Sequence, residues 1–399
     1  MPADMPANMG ATVRQADADD AVNGVLPRWV ALPETVEEVS AVLRACAEQD
    51  LAVVPAGGGT KLHWGPPPER CDVLLDMCCM NAVLEHAAGD LVVRTQAGLT
   101  MHALAAALAD RGQELALDPP FTEHTTVGGT LATATAGPRA FRYGTARDLL
   151  IGITVVLPDG TIAKSGGKVV KNVAGYDLGK LFTGSQGTLG VIAEATFRLH
   201  PLPADRRWLV ASAGQSPAPS NDVLLRLAAS QAEPSAVEID CPDGKNTTVA
   251  VLVEGSAAEA RALALREVLG DGAVTAEAPE WWGLILRDDL LLEARFPPAH
   301  TVEALAAARD ARFSFRGSAA SGRAYLESWG DIPEEELAAV VTRLRARIEA
   351  LGGRVSVLAA PYEGADRWGQ VSALPLMRRV KERFDPGRRM SPGRFLGGI

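Results

Sequence analysis

The chain has 399 residues, enough for two or three domains with sizeable cores, and its 47% hydrophobic and 22% charged residues describe an ordinary soluble globular protein. A formal net charge of -10 argues against a nucleic-acid surface, which is normally basic, and no run of about 18 apolar residues offers a membrane span. The five cysteines, Cys46, Cys71, Cys78, Cys79 and Cys241, match neither a zinc nor an iron–sulfur spacing and read as reduced, structural thiols.

Residues 1–24 read as a poorly ordered lead-in without the basic start and apolar core of a signal peptide. A strand at WVAL then meets a helix in which Val36, Val39, Val42, Leu43 and Ala47 recur at helical spacing, with Thr35 as cap and Glu37 and Glu38 in its first turn. The short strand Leu51 to Val54 runs into Pro55 and three glycines. Residues without Cβ let an anion approach backbone N–H groups, so this loop is a candidate phosphate cradle. Neither GxxxxGK[ST] nor a strand-loop-helix GxGxxG occurs, which demotes an ATPase or a nicotinamide enzyme. A strand over Leu91 to Thr95 and an alanine-rich helix over Met101 to Ala109 follow, and Pro119 and Pro120 close this part.

Between Val127 and Val191 lie 13 of the chain's 39 glycines, in 65 residues, too dense for an evenly spread residue and too interleaved with β-branched positions for a linker. GITVVLPDGTIAKS reads as a hairpin turning at Pro158 to Gly160, and GTLGVIAEATFRLHP as another strand. From about 205 the chain alternates strands (NTTVAVLVEGS, LLLEARF, RVSVLAAP) with alanine-rich helices, the longest at EEELAAVVTRLRARIEALGG. PLMRRVKERFDPGRRM reads as a short helix before the C-terminal tail.

PAGGGTKL at 55–62, LDPP at 117–120, TVGGTLATATAGP at 126–138, YGTARDLLIG at 143–152 and GSQGTLGVI at 184–192 resemble, in order, the FAD-binding domain of the vanillyl-alcohol oxidase/PCMH superfamily. More narrowly, KSGGKVVKNVAGYDLGKLFTG at 164–184, with FDPGRRMSPGRF at 384–395, resembles the smaller FAD-binding subunit of bacterial glycolate oxidase, so that the likeness spans most of the chain. The resemblance implies an α+β fold: a PCMH-type FAD-binding domain of two α+β subdomains over 25–204, a ferredoxin-like α+β cap over 205–370, and a helix and tail over 371–399 returning to the FAD domain. It carries FAD-binding roles to Gly57, Gly58, Gly59 and Thr60 in the first loop, and to Thr126, Gly128, Gly129 and Thr133 in the second. Pro120, Gly137, Gly190 and Ile192 would line the flavin or ribityl region. Thr60 stands where some members place the histidine that bonds covalently to flavin, and His63 comes three residues later, so the FAD is expected to be non-covalent.

The resemblance also implies a larger catalytic FAD-binding glycolate oxidase subunit and an iron–sulfur subunit as partners. The expected location is the cytoplasm, with at most peripheral contact, through partners, with the inner face of the membrane. The histidine-rich metal motif of the catalytic relatives is missing after His124, where only His200 and His300 occur, so no metal ligand and no catalytic residue is assigned. Arg295 and Arg323 are candidates for a substrate carboxylate, against the blander reading of surface or interface salt bridges. Arg142, Arg147 and Asp148 are placed near the flavin by analogy, a structural Arg–Asp pair being the rival. Tyr176 reads either as a packed aromatic or as a flavin neighbour, and Trp281 and Trp282 as core or interface. Three functions compete: an FAD-binding subunit of a glycolate (2-hydroxy acid) oxidase complex, a self-sufficient flavin dehydrogenase, and a scaffold that has kept the fold without flavin chemistry.

Overall fold

The computed structural model describes residues 9–167, 177–212, 219–285, 289–329, 332–361 and 364–399, and every count of elements refers to those residues. Most of the KNVAGYDL stretch, including Tyr176, lies outside the described residues. The chain forms two compact units, one of residues up to Ala136, Thr145–Leu202 and Val371–Ile399, the other of Gly137–Gly144 and Pro203–Gln370.

The first unit begins with β1 (Thr12–Gln15), β2 (Trp29–Leu32), α1 (Val36–Glu48), β3 (Val53–Ala56) and β4 (Val73–Asp76). Its sheet runs β1-β2-β4-β3, with β2, β4 and β3 parallel and β1 antiparallel at the edge. Within the described residues this corrects the poorly ordered lead-in expected over 1–24, of which 1–8 lie outside them: Thr12–Gln15 pairs along its length with Trp29–Leu32, and backbone pairing holds a strand that side-chain pattern alone does not announce. At α1, Thr35 Oγ1 accepts from Glu38 N–H at 3.2 Å, and the apolar stripe of Val36, Val39, Val42 and Leu43 is buried.

The second sheet of this unit follows in chain order through β5 (Val83–Ala87), β6 (Val92–Gln96), α2 (Met101–Ala109), β7 (Gln113–Glu114), α3 (Val127–Thr133), α4 (Ala140–Tyr143, in the other unit), α5 (Ala146–Leu149), β8 (Leu150–Val156), β9 (Ile162–Gly166), α6 (Leu178–Phe182), β10 (Val191–Arg198) and β11 (His200–Pro201). The strands are antiparallel in the order β5-β6-β10-β8-β9, and β7 and β11 form a separate short ladder. The β8–β9 hairpin turns at Pro158-Asp159-Gly160, where Gly160 N–H donates to Leu157 O at 2.8 Å. Val93, Ile153, Val155, Ala195 and Phe197 from the sheet pack with Leu104, Leu131 and Phe182 in one core.

The second unit carries a doubled motif. β12 (Arg206–Ser212), α7 (Asn221–Ala228), β13 (Ala236–Cys241), β14 (Thr248–Glu254), α8 (Ala258–Leu269) and β15 (Ala273–Thr275) form one βαββαβ unit. β16 (Leu291–Arg295), α9 (Thr301–Asp310), β17 (Phe315–Ser318), β18 (Arg323–Glu327), α10 (Glu334–Ala350) and β19 (Arg354–Ala359) form another. Their strands share one antiparallel sheet, β15-β12-β14-β13-β17-β18-β16-β19, joined at β13–β17. The ferredoxin-like α+β character expected from sequence is present twice, as two such motifs edge to edge in one sheet. Strict alternation in AVEIDC, RAYLE and LLEAR explains the layering: Val237, Ile239, Ala324, Leu326, Leu292 and Ala294 enter the helix-covered core, and Glu238, Asp240, Arg323, Tyr325 and Glu293 take the other face. α11 (Leu374–Phe384) closes the chain within the first unit.

Candidate functional site

A cavity partly open to solvent lies within the first unit. The loop after β3 contributes Gly57, Gly58, Gly59, Thr60, Lys61 and Leu62, α3 and its cap contribute Thr126, Gly128, Gly129 and Thr133, and the start of β10 contributes Gly190, Val191 and Ile192. Ten of the twelve residues assigned from sequence thus meet at one place. Pro120 and Gly137 do not line it: Pro120 is buried with its carbonyl accepting from Thr125 Oγ1 at 2.9 Å, and Gly137 belongs to the second unit.

The two loops are fitted to each other before any ligand is considered. A Cβ on Gly58 would stand 1.7 Å from His124 O, so glycine there is demanded by a neighbouring backbone, not by a ligand as the sequence reading supposes. Gly59 is different: its φ is +70°, in the left-handed region, and a Cβ would meet nothing within 4 Å. Among the described residues the N–H groups of Gly58, Gly59 and Thr60 find no hydrogen-bond partner, whereas those of Val127, Gly128 and Gly129 donate to Leu99 O, Ala97 O and Thr126 Oγ1. Donors for an anion therefore come from the first loop. The second supplies a wall, stiffened where Thr133 Oγ1 donates to Gly129 O at 2.7 Å.

Two cations that sequence reading passes over also line the cavity. Lys61 is buried, its Nζ 3.2 Å from both Thr60 Oγ1 and Thr125 Oγ1 and 5.8 Å from the Trp64 ring centre. Arg394 donates to Leu62 O at 2.9 Å and to Trp64 O at 2.8 Å, which pins the loop beyond the glycines. Among the described lining residues there is no carboxylate, so a chain of net charge -10 here presents a locally cationic surface. Free N–H groups, an open cradle at Gly59 and two cations fit the diphosphate of a dinucleotide.

The C-terminal segment holds this arrangement from behind. Lys381 Nζ donates to Asp385 Oδ2 at 2.7 Å, Thr188 O at 2.7 Å and Met390 O at 2.9 Å, and Met390 N–H donates to Asp385 Oδ2 at 2.8 Å. Burial lowers the pKa of the Lys381 ammonium, with Asp385 pulling the other way. Ser391 N–H then donates to Val53 O, tying the tail to the strand that carries the glycine loop.

The other candidates have structural partners. Asp148 accepts from Thr145 N–H and Thr145 Oγ1, both at 2.8 Å, and these bonds hold its pKa below the usual value: it closes a capping box on α5. Arg142 donates to Glu233 O at 2.7 Å, within the second unit. Arg139, also in that unit, joins Arg206 around Glu254, at 3.1 and 2.9 Å. Burial resists ionisation of Glu254, but the two guanidinium groups outweigh it and hold its pKa low. Arg323 is buried against Glu293 and Tyr325, and Arg295 bonds Glu293 at 3.1 Å from a largely exposed position. His63 packs edge-on against Trp64 and does not line the cavity. The thiols of Cys46 and Cys71 are pushed up to about 12 by burial. Among the described residues no group of three or more His, Cys, Asp and Glu side chains is placed to hold a metal ion, and no helix is long and apolar enough to cross a membrane.

Residues 27–166 match the model of the FAD binding domain family. A glycolate oxidase subunit of Bacillus subtilis is 36% identical over 205 residues, 51% of this chain and 43% of that relative. The cytochrome-linked mitochondrial D-lactate dehydrogenase 1 of Saccharomyces cerevisiae is 40% identical over 181 residues, 44% of this chain and 30% of that relative. A D-2-hydroxyglutarate dehydrogenase of Xanthomonas citri is 37% identical over 202 residues, 50% of this chain and 42% of that relative. The aligned stretch spans less than half the length of each of these relatives. In structure, substrate-bound p-cresol methylhydroxylase superposes with a TM-score of 0.70 at 16% identity, over 93% of this chain and 89% of that one, a likeness of fold.

Proposed function

Since residues 27–166 are an FAD-binding domain, we propose that this chain is the FAD-binding subunit of a glycolate (2-hydroxy acid) oxidase complex, with its flavin non-covalent and its electrons leaving through a partner iron–sulfur subunit. The observation that carries the reading is the cationic, carboxylate-free cavity formed by the two glycine loops. FAD supplies hydride acceptance when bound. For their part, Gly58, Gly59 and Thr60 offer N–H groups to the diphosphate, Lys61 and Arg394 balance its charge, and Gly190 and Ile192 wall the flavin end. Likeness to a glycolate oxidase subunit supports membership of a complex.

Removing hydride from a 2-hydroxy acid also needs a base for the hydroxyl proton, held within about 3 Å in the reacting complex. Among the described residues that line this cavity, Lys61 is the one side chain of that chemical type. This supports a reading in which a partner performs the oxidation and the present flavin is a relay. The second reading, a self-sufficient dehydrogenase, draws on the likeness to single-named D-lactate and D-2-hydroxyglutarate dehydrogenases. One experiment divides them: purified chain loaded with FAD is mixed anaerobically with glycolate or D-lactate and its flavin absorbance followed. Slow or absent bleaching is expected. Full bleaching at a turnover rate would make the self-sufficient enzyme the better account, and a chain that takes up no FAD would leave the scaffold.

A further inference from the structure

Three arginines fall on one row of the second unit's sheet. Arg323 on β18 lies opposite Arg295 on β16, and Arg295 lies opposite Arg354 on the edge strand β19. Residues directly opposite in an antiparallel pair project from the same face, with Cβ atoms about 4.5–5.5 Å apart, and like charges placed so repel. The Glu293 carboxylate is in contact with two members of the row. Glu293 Oε1 lies 2.5 Å from Arg323 Nε, and its Oε2 lies 3.1 Å from Arg295 Nε. Burial resists its ionisation, yet the two guanidinium groups hold its pKa below the usual value.

Arg354 is left over. Among the described residues its guanidinium makes no hydrogen bond or ion pair, and its Nε is buried without an acceptor. Burial, and after it the facing charge of Arg295, lower its pKa. Glu238 and Glu349 also act on the row, and Arg345, another cation nearby, is engaged by Asp366 at 2.8 Å. Arg295 and Arg323 thus share Glu293, and among the described residues Arg354 has no carboxylate in contact. A half-buried guanidinium left without an acceptor costs stability unless something negative is brought to it.

We propose that Arg295, Arg323 and Arg354 form a binding site for a small organic dianion carrying two carboxylates. The guanidinium fork pairs bidentately with carboxylates. Two strand spacings separate Arg323 from Arg354, roughly 10 Å at the backbone, so a ligand with its charges apart can engage both ends of the row, whereas a compact anion meets only one neighbouring pair. Access is from the Arg295 side, where 60% of that side chain is exposed. The inference goes beyond the proposed function, because glycolate carries a single carboxylate.

The test uses the full chain as purified, titrated with malonate, succinate and glutarate at constant ionic strength, with acetate and inorganic phosphate as comparison anions. Binding is read by calorimetry and by the midpoint of thermal unfolding. A saturable rise in midpoint is expected with the dicarboxylates and not with acetate. Arg354→Met should weaken binding at least about tenfold, the loss of one charge-assisted contact, and should leave the ligand-free midpoint unchanged or raised because repulsion is relieved. Arg295→Met should weaken binding too, and Arg226→Met, on the exposed helix α7, should not. Acetate or phosphate matching the dicarboxylates would overturn the assignment, as would wild-type affinity in Arg354→Met or a lowered ligand-free midpoint in that variant. Repeating the titration on flavin-free protein keeps the two readings apart, since dicarboxylate binding by a chain that takes up no FAD supports this site while removing the flavin role.

Discussion

Replacing Gly129 with alanine should move the stability of the fold and the affinity for flavin in opposite directions. Gly129 sits in the first turn of α3 and lines the cavity, and an added Cβ meets only Thr126 Oγ1, at 3.1 Å. A hydroxyl can yield by a few tenths of an ångström. Alanine is about 1 kcal/mol better than glycine within a helix, so the flavin-free protein should hold its stability or gain up to that amount, about 2–4 °C in Tm for a unit of this size. The same methyl stands where the second loop borders the diphosphate. Displacing that group from the free N–H donors of the first loop removes a hydrogen bond to a charged acceptor, worth about 1.5–3 kcal/mol, and should raise Kd for FAD roughly 10- to 150-fold. Flavin fluorescence titration of the stripped protein gives Kd, and thermal unfolding with and without FAD gives the two stabilities. Gly58→Ala is the contrast: its Cβ strikes the His124 carbonyl, so stability and affinity should fall together. Wild-type Kd in Gly129→Ala would refute the placement of the diphosphate, and destabilisation of that flavin-free variant by more than 1 kcal/mol would refute the packing argument.

Acid precipitation of the loaded protein should release all flavin to the supernatant, because Thr60 cannot form the tether; a protein mass raised by one FAD would show otherwise. Lys381→Met strands the fully buried Asp385 carboxylate and should cost about 3–5 kcal/mol in urea unfolding; a smaller loss would mean the Asp385 cluster does not brace the tail. Glu254, with its folded pKa depressed below the ordinary glutamate value of 4.5, contributes stability that is present above that value and lost as pH falls through its folded pKa. Glu254→Gln should therefore flatten the acid limb of the stability curve below pH 4.5, and an unchanged limb would place the acid sensitivity elsewhere.

What the sequence determined by itself was local. Thr35 ahead of a helical stripe is enough to start α1, the Pro-Asp-Gly turn with β-branched flanks is enough for β8 and β9, and glycines clustered at strand ends mark Gly57–Thr60 and Thr126–Thr133 as loops of special backbone. Each depends on interactions within a few residues, so each is visible in one dimension. The reasons behind those glycines were not visible: Gly58 is forced by His124, a residue 66 positions away, and only Gly59 keeps an open cradle. Lys61 and Arg394 also escaped, since a lone basic residue in a sequence carries no sign of burial and becomes a cavity cation only when the loop and the tail come together. The arginine row shows the same limit from the other side. Arg295 and Arg323 could be picked out as guanidinium groups, but their engagement by Glu293, and the position of Arg354 beside them, follow from strand order and register, which long-range pairing sets and no local pattern encodes.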